Sequence, residues 1–209
     1  IGDYQPSIVA VIPVRESYPH LQGVPYIDLV GKSLLERAIT EAQAVESVTQ
    51  VVVSSESERV LEFSQALENS EKVQPHIRRY RQSVLQNDHV HLQEILADAA
   101  EAYKRTNGHR PDIILFLSLH AALRPASAIA KAINVLIVTE SDTVVSVVEE
   151  RDPVFMHSQS GLRLVGNGRF DNLSYCSEQL FRFNGAVIAC WGDVINYASL
   201  WGGKIGFIE

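Results

Sequence analysis

The chain has 209 residues, of which 46% are hydrophobic and 21% charged, and its formal net charge is −7. This length fits one domain, which can bury a sufficient core without disulfides. The acidic balance argues against non-specific nucleic-acid binding, which needs clustered Lys and Arg. Cys176 and Cys190 have no metal or redox spacing, and no apolar run reaches the roughly 18 residues of a membrane span. Residues 1–7 show no signal-peptide pattern, so we expect a cytoplasmic protein. The charge and the lack of a long apolar run lead us to expect neither nucleic-acid nor membrane partners.

Segments typical of buried strands and of amphipathic helices alternate along the chain. The first, Ser7-Ile-Val-Ala-Val-Ile-Pro13, is a continuous apolar run, as expected for a strand covered on both faces. A loop over 14–32 follows, and Ser33-Leu-Leu-Glu36 is a capping box that starts a helix. Further strands are predicted over 50–54, 112–119, 143–148, 185–190 and 204–208. Further helices are predicted over 58–67, from an N-cap at Asp88 to Asn107-Gly108, over 126–138 and near 191–200.

Two segments interrupt this alternation. Residues 73–87 have no regular pattern and carry Arg78, Arg79 and Arg81. Within 151–182, the glycine-rich Gly166-Asn167-Gly168 between 162–165 and 169–170 predicts a β-hairpin, which we interpret as an insertion between two sheet strands. The remainder predicts a single α/β domain over 1–209, with an open, mostly parallel sheet and helices on both faces in three layers.

Ligands of an open parallel sheet bind beyond the carboxyl ends of its strands, near the switch in strand order. Four segments lie at such ends: the loop after Pro13, the turn Ser54-Ser55-Glu56, the stretch 118–124 and Glu149-Glu150. The first loop contains neither Gly-x-Gly-x-x-Gly nor a Walker lysine, which argues against a dinucleotide-binding fold and a P-loop ATPase. No Ser-His-Asp signature supports a hydrolase.

Seven short blocks occur in an order found in one known family. They are the first strand with Val14-Arg15 and Gly23-Val24-Pro25, then Val51-Val-Val-Ser-Ser55, Arg81 with Asp88, Leu117 to Arg124, Asp142-Thr-Val-Val-Ser-Val-Val-Glu149, Asn184-Gly185, and Gly202-Gly203-Lys204. In this order the blocks resemble the acylneuraminate cytidylyltransferases, which make CMP-sialic acid, and the resemblance covers nearly the whole chain.

The resemblance implies a nucleotide-diphospho-sugar transferase-like fold and a reaction that joins CMP from CTP to an acidic, sialic acid-like keto-sugar, with pyrophosphate released and Mg²⁺ as cofactor. It implies nucleotide contacts at Arg15, Gly23, Asp28, Arg81 and Ser118, with Arg15 the catalytic contact to the triphosphate. It also implies a homodimer formed through 151–182, and sugar contacts at His120, Arg124, Glu149, Asn184 and Gly185.

The chain departs from the family pattern at the phosphate loop. Tyr26, Ile27 and Asp28 stand where the family has Arg, Lys and Asn, and Glu16 stands in a stretch that has lost the family's lysine. Ser118-Leu-His120-Ala-Ala replaces Gln-Pro-Thr-Ser-Pro. The family pattern continues beyond the equivalent of Glu209 into a Ser-Val-Asp-Ile-Asp segment with metal ligands, so the metal ligands stay unassigned here.

These departures leave three interpretations open. The chain is an active cytidylyltransferase, a related enzyme that uses another base, or a catalytically silent homologue that binds a sugar or nucleotide or serves as a dimeric module of a larger protein.

Several individual residues also have alternative interpretations. His120 is either an acid–base group or the end of a strand. Glu149-Glu150 is either a ligand for metal or sugar, or a solvated pair. Arg81 belongs either to a nucleotide site or to a solvated basic face, while Asp88 and Lys32 fit a helix cap and a surface residue best.

Overall fold

The computed structural model describes residues 5–18, 20–74, 78–79, 90–150, 154–165, 180–195 and 199–209. Over these ranges one mixed sheet has the strand order β3-β2-β1-β4-β6-β5-β7. Neighbouring strands are parallel except for β6, which runs antiparallel to both β4 and β5. The mostly parallel sheet is therefore confirmed. Its strands are β1 (Ile8–Val14), β2 (Gln50–Ser55), β3 (Arg78–Arg79), β4 (Ile113–Leu117), β5 (Thr143–Glu150), β6 (Leu180–Trp191) and β7 (Ile205–Ile208).

Helices cover both faces of the sheet, as predicted. On one face α1, α2 and α4 pack over Ile8, Ala10 and Ile12, and on the other face α3 packs over Val9 and Val11. Because side chains alternate along a strand, β1 contributes to both cores, which explains its continuous apolar sequence. The helices are α1 (Leu34–Gln43), α2 (Glu58–Asn69), α3 (Leu92–Asn107) and α4 (Ala126–Thr139).

The local signals at helix ends were accurate in two places and wrong in one. Ser33 Oγ accepts the Glu36 backbone N–H at 3.1 Å, and Gly108 ends α3 with φ of 81°. The N-cap of α3, however, is His91 and not Asp88. The Glu94 carboxylate accepts the His91 N–H at 2.8 Å, so the first helical turn begins there. Asp88 itself lies outside the described residues.

Three other predictions need correction. Within the segment predicted to be irregular, Arg78–Arg79 forms β3 beside Val52 and Val53. The hairpin pairs Phe155–Ser158 with Gly161–Leu164, so residues 161–164 form its second strand and not its first. The Ser158 hydroxyl donates to Gly161 O at 2.8 Å and Gly161 has φ of 108°, which fixes the turn there. The predicted turn at 166–168 lies outside the described residues.

The helix predicted near 191–200 is absent from 191–195 and 199–200. Strand β6 continues to Trp191, and the Gly192 N–H then donates to Asp112 O at 2.7 Å, which turns the chain across the amino end of β4. No helix in the described ranges is both long and apolar enough to cross a bilayer.

Candidate functional site

The sheet reverses its winding between β1 and β4. From β1 the chain proceeds to β2 and β3 on one side, and β4 then lies on the other side of β1. Such a reversal opens a crevice beyond the carboxyl ends of the two strands. Arg15 follows β1 directly, and Ser118 follows β4 directly, so both lie at this edge.

A pair of rings joins the two segments across the crevice. The Tyr18 and His120 rings meet edge to face, with 4.7 Å between centroids and 70° between planes. The His120 backbone N–H donates to Ser118 Oγ at 3.2 Å, which holds the turn after β4, and the His120 residue is exposed. The sequence placed Ser118 and His120 at this edge, and the structure brings them against the loop that follows β1.

Arg124 lies beneath this turn, where it is only 6% exposed. Its Nη1 donates to Ser118 O at 3.0 Å and to Ala186 O at 2.9 Å, so it ties the end of β4 to β6. Burial lowers the pKa of the guanidinium to about 10, and the charge of Glu41 acts in the opposite direction. Arg124 Nε is buried and has no hydrogen-bond partner among the described residues. The arrangement suits a clamp on two backbone carbonyls.

Asn184 and Gly185 form an irregularity in β6 beside this clamp. The register with β5 shifts between Phe183 and Ile188, and Gly185 has φ of 77°. Asn184 Oδ1 accepts the Ser146 hydroxyl at 2.6 Å and the Ala186 N–H at 3.0 Å. Asn184 therefore fixes the bulge whose Ala186 carbonyl Arg124 contacts, and Ser118, Arg124, Asn184 and Gly185 belong to one connected group.

Glu149 lies farther out, on a ribbon formed by the ends of β5 and β6. Val145 and Phe116 both pair with Ile188, and Glu149 comes four residues after Val145 whereas Ser118 comes two residues after Phe116. At about 3.3 Å per residue, the Glu149 position is roughly 7 Å beyond that of Ser118 along the strand direction. Glu149 pairs with Phe181, and Glu150 forms an ion pair with Arg182 at 3.2 Å. The ribbon thus extends past the carboxyl end of β4 at this edge of the sheet.

The loop after β1 uses its two carboxylates for internal contacts. Glu16 accepts the Ser57 hydroxyl at 2.6 Å and pairs with Arg59 at 2.8 Å, while Asp28 Oδ1 accepts the Gly31 N–H at 3.0 Å. Gly23, with φ of 65°, donates its N–H to Glu16 O at 2.9 Å. The Glu16 charge is therefore partly compensated by Arg59, and the Asp28 carboxylate is engaged within its own turn.

Arg81, which the sequence assigned to the nucleotide, lies outside the described residues. Within the described ranges, no three His, Cys, Asp or Glu side chains come together in a way that could hold a metal ion.

Comparison with known proteins gives structural matches only. Neither protein-family models nor curated proteins match the sequence. A CMP:2-keto-3-deoxy-manno-octonic acid synthetase complexed with CTP superposes with a TM-score of 0.70 and 17% identity, over 97% of this chain and 89% of that one. The described residues therefore share the fold of this synthetase. A 4-diphosphocytidyl-2C-methyl-D-erythritol synthase from Anaerococcus prevotii gives a TM-score of 0.70 at 14% identity, over 98% of this chain and 87% of that one. A second synthase of that name gives 0.66 at 14% identity, over 98% and 88%.

Sequence reasoning missed the partners that hold the loop after β1. Ser57 and Arg59 begin α2 just after the carboxyl end of β2, and that edge was already assigned to the site through Ser54-Ser55-Glu56. The signal available in the sequence was a hydroxyl and a cation, Ser57 and Arg59, at one strand end and an acidic residue, Glu16, at the neighbouring one. Tyr18 offered no such signal, because its contact with His120 depends on how two loops fold toward each other.

Proposed function

We propose that the chain is a nucleotidyltransferase that joins CMP from CTP to an acidic, sialic acid-like keto-sugar and releases pyrophosphate. The observation that carries the proposal is the contact between the segments after β1 and β4, at the switch point of a fold shared with a synthetase that binds CTP. Ligands of such sheets bind at this point. The order of the seven sequence blocks adds support for the sialic acid-like acceptor.

In the proposed reaction, the hydroxyl oxygen of the sugar attacks the α-phosphorus of CTP. The bond from that phosphorus to the oxygen bridging the α- and β-phosphates breaks, and pyrophosphate leaves with the electron pair. The hydroxyl proton passes to a base, for which the exposed His120 imidazole is the candidate in the crevice. Arg15 would stabilise charge on the phosphates, since positioning and electrostatics dominate such transfers.

The other proposed contacts divide between nucleotide and sugar. Gly23, Asp28 and Ser118 would face the nucleotide together with Arg81, whose role stays a prediction from sequence. Glu149, Asn184 and Gly185 would line the sugar side. Because Arg124 is buried on two carbonyls, we propose that it serves the sugar pocket by holding the backbone of Ser118 and Ala186.

We propose that the nucleotide enters as its Mg²⁺ complex. Mg²⁺ in such sites is bound by substrate phosphates, water and one or two carboxylates, and so does not require a dedicated protein cage. Glu149, on the ribbon that extends past the carboxyl end of β4, is the carboxylate that we propose for such a contact.

A homodimer is part of the proposal. The ribbon, and the hairpin over 155–164 that lies between β5 and β6 in the chain, expose apolar side chains that suit burial against a second copy. Leu162 is 73% exposed, and Phe155, Met156 and Phe183 are each close to 45% exposed. Leu162→Lys is expected to convert a dimer to a monomer in light scattering, whereas the same change at the 87% exposed Val30, in the loop after β1, is expected to have no effect on mass.

A pyrophosphate-release assay tests the chemistry. It uses Mg²⁺–CTP with an octulosonic acid, a neuraminic acid or a phosphorylated tetrol as acceptor, and compares the wild type with Arg15→Ala. Arg105→Ala, an exposed arginine near the end of α3 and hence toward the amino edge of the sheet, is the matched control. The proposal predicts release with an acidic keto-sugar that falls at least tenfold in Arg15→Ala alone. Release only with the phosphorylated tetrol would show that the acceptor is a phosphorylated tetrol and not an acidic keto-sugar.

A catalytically silent homologue is the second candidate. The described loop residues 15–18 and 20–33 contain Arg15 and Lys32 as permanent cations, beside Glu16 and Asp28. This is a poor charge balance for holding a triphosphate during catalysis. CTP binding without pyrophosphate release for any acceptor would support this candidate over the transferase.

A further inference from the structure

Glu16 connects the loop after β1 to the start of α2 through both its backbone and its side chain. Its carbonyl accepts the Gly23 N–H at 2.9 Å, and its carboxylate accepts the Ser57 hydroxyl at 2.6 Å and pairs with Arg59 Nη1 at 2.8 Å. The Ser57 N–H in turn donates to Ser55 Oγ at 3.2 Å, at the carboxyl end of β2. One residue thus joins the phosphate-loop candidate to a second strand end of the same edge.

The two side chains of this ion pair differ in exposure, so they contribute differently to the attachment. The Glu16 side chain is 25% exposed, whereas that of Arg59 is 78% exposed. An ion pair with such an exposed partner contributes little stability by itself. The short hydrogen bond from Ser57 fixes the direction of the Glu16 carboxylate, and Arg59 compensates its charge. The carboxylate therefore points toward α2.

Tyr26 anchors the same loop at a second point next to Glu16. Its ring packs edge to face on Phe63 of α2, with 4.9 Å between centroids, and its hydroxyl is buried without a well-formed hydrogen bond among the described residues. The Tyr26 pKa is raised, first by burial and next by the nearby Glu16 charge. Tyr26 follows Val24 and Pro25, which are buried, so this end of the loop is held by packing as well.

We propose that Glu16 is a positioning residue for the nucleotide. Its contacts with Ser57 and Arg59, here termed the latch, hold the loop after β1 against α2 and so set the conformation of the backbone around Gly23, which receives the phosphates. The inference rests on the proposed function, since it assigns the loop to a nucleotide. It gives a physical reason for an acidic residue where the family pattern has none.

The test combines two readouts on the purified chain. Amide hydrogen exchange at Gly23 and its neighbours, measured without nucleotide, reports whether the latch holds the loop in place. Calorimetric titration with Mg²⁺–CTP reports whether this positioning affects nucleotide affinity. In Glu16→Ala we expect about tenfold faster exchange in this loop and about tenfold weaker CTP binding. Glu16→Gln keeps an oxygen that can accept from Ser57, so it is expected to recover most of both effects. Glu62→Gln, which removes an exposed carboxylate from α2, is expected to change neither the exchange rate nor the CTP affinity.

Each outcome bears on the latch. Unchanged exchange in Glu16→Ala would overturn it, whatever happens to affinity. Faster exchange with unchanged CTP affinity would overturn the positioning role and leave a loop contact without function. If the wild type binds no CTP, the proposed function fails and positioning fails with it, while the exchange result still decides whether the latch exists.

Discussion

The imidazole of His120 meets the ring of Tyr18 edge to face at 4.7 Å, which joins the segments after β1 and β4 at the switch point of the sheet. Edge-to-face pairs of aromatic rings contribute about 0.5–1.5 kcal/mol beyond their buried area. The contact therefore holds the segments after β1 and β4 together where the nucleotide is proposed to bind.

His120→Gln is expected to weaken CTP binding about 2- to 10-fold, because the segment after β4 loses its contact with Tyr18. The chain offers a matched control in the pair of Tyr103 and His109, which also meet edge to face, with 5.7 Å between centroids. His109→Gln is expected to leave CTP affinity unchanged in the same titration. Equal effects of the two substitutions would show that the Tyr18–His120 contact has no special role.

Val30→Asn is expected to stabilise the fold. Val30 and Gly31 have φ of 56° and 79° and connect the paired residues Leu29 and Lys32, so they form a two-residue turn with both central residues left-handed. Asn tolerates this conformation and a β-branched residue does not, and Val30 is 87% exposed, so little burial is lost. Urea unfolding should show a gain of about 0.5–1 kcal/mol. Val138→Asn, at an 80% exposed position in α4, should show no gain, and a gain at both sites would contradict the turn account.

Gly202→Ala is expected to destabilise the fold strongly, whereas Gly203→Ala is not. A Cβ on Gly202 would lie 2.1 Å from Asp142 Cβ, while one on Gly203 would come no closer than 3.6 Å to Asp142 Oδ2. Asp142 Oδ2 also accepts the Lys204 N–H at 2.8 Å, so relief of the clash would strain this contact. We expect a loss of about 1–3 kcal/mol or more for Gly202→Ala in chemical unfolding. Similar losses for both variants would refute a steric origin.

Stability is expected to fall at alkaline pH partly through Cys190. Burial raises the pKa of this thiol to about 12 from its ordinary 9.0. Between those values the unfolded chain loses the thiol proton and the folded chain keeps it, so stability falls as pH rises above about 9, by at most about 1.4 kcal/mol per pH unit. Unfolding free energies from pH 8 to 10 should decline less steeply in Cys190→Ala than in its parent.

Thiol labelling gives an independent check on the same residue. In Cys176→Ser, Cys190 is the remaining cysteine. It should react with a thiol reagent only after unfolding, because it is buried in the core beneath α3. Rapid labelling of the native protein would contradict its placement in that core.

The sequence predicted the layers of the fold more accurately than its connections. The capping box at Ser33 and the glycine after Asn107 act through neighbours in the chain, so local sequence was sufficient to place them. The antiparallel direction of β6 and the pairing of Arg78–Arg79 with β2 depend on contacts between distant segments, which periodicity does not report. The N-cap of α3 was misplaced because Asp88 has the stronger intrinsic preference, whereas the bond between Glu94 and His91 determines where the helix begins.

The candidate site was predicted in its location but not in its contacts. Strand ends placed Arg15 and Ser118 at one edge, as the topology shows. The sequence could not show that Arg124 would turn inward onto the carbonyls of Ser118 and Ala186, since an arginine at a strand end is equally able to face solvent. Nor could it show that Ser57 and Arg59 would occupy the Glu16 carboxylate, because that contact joins positions about 40 residues apart in the chain.

Calorimetric titration of the purified chain with CTP, UTP, ATP and GTP, each with Mg²⁺, decides whether the switch point is a cytidylyl-transfer site. We predict binding of CTP that is at least tenfold tighter than that of the other three, because a site formed to hydrogen-bond one base leaves its polar groups unpaired with another. Absence of binding by any of the four, or equal binding of all four, would contradict a cytidylyl-transfer site at the switch point.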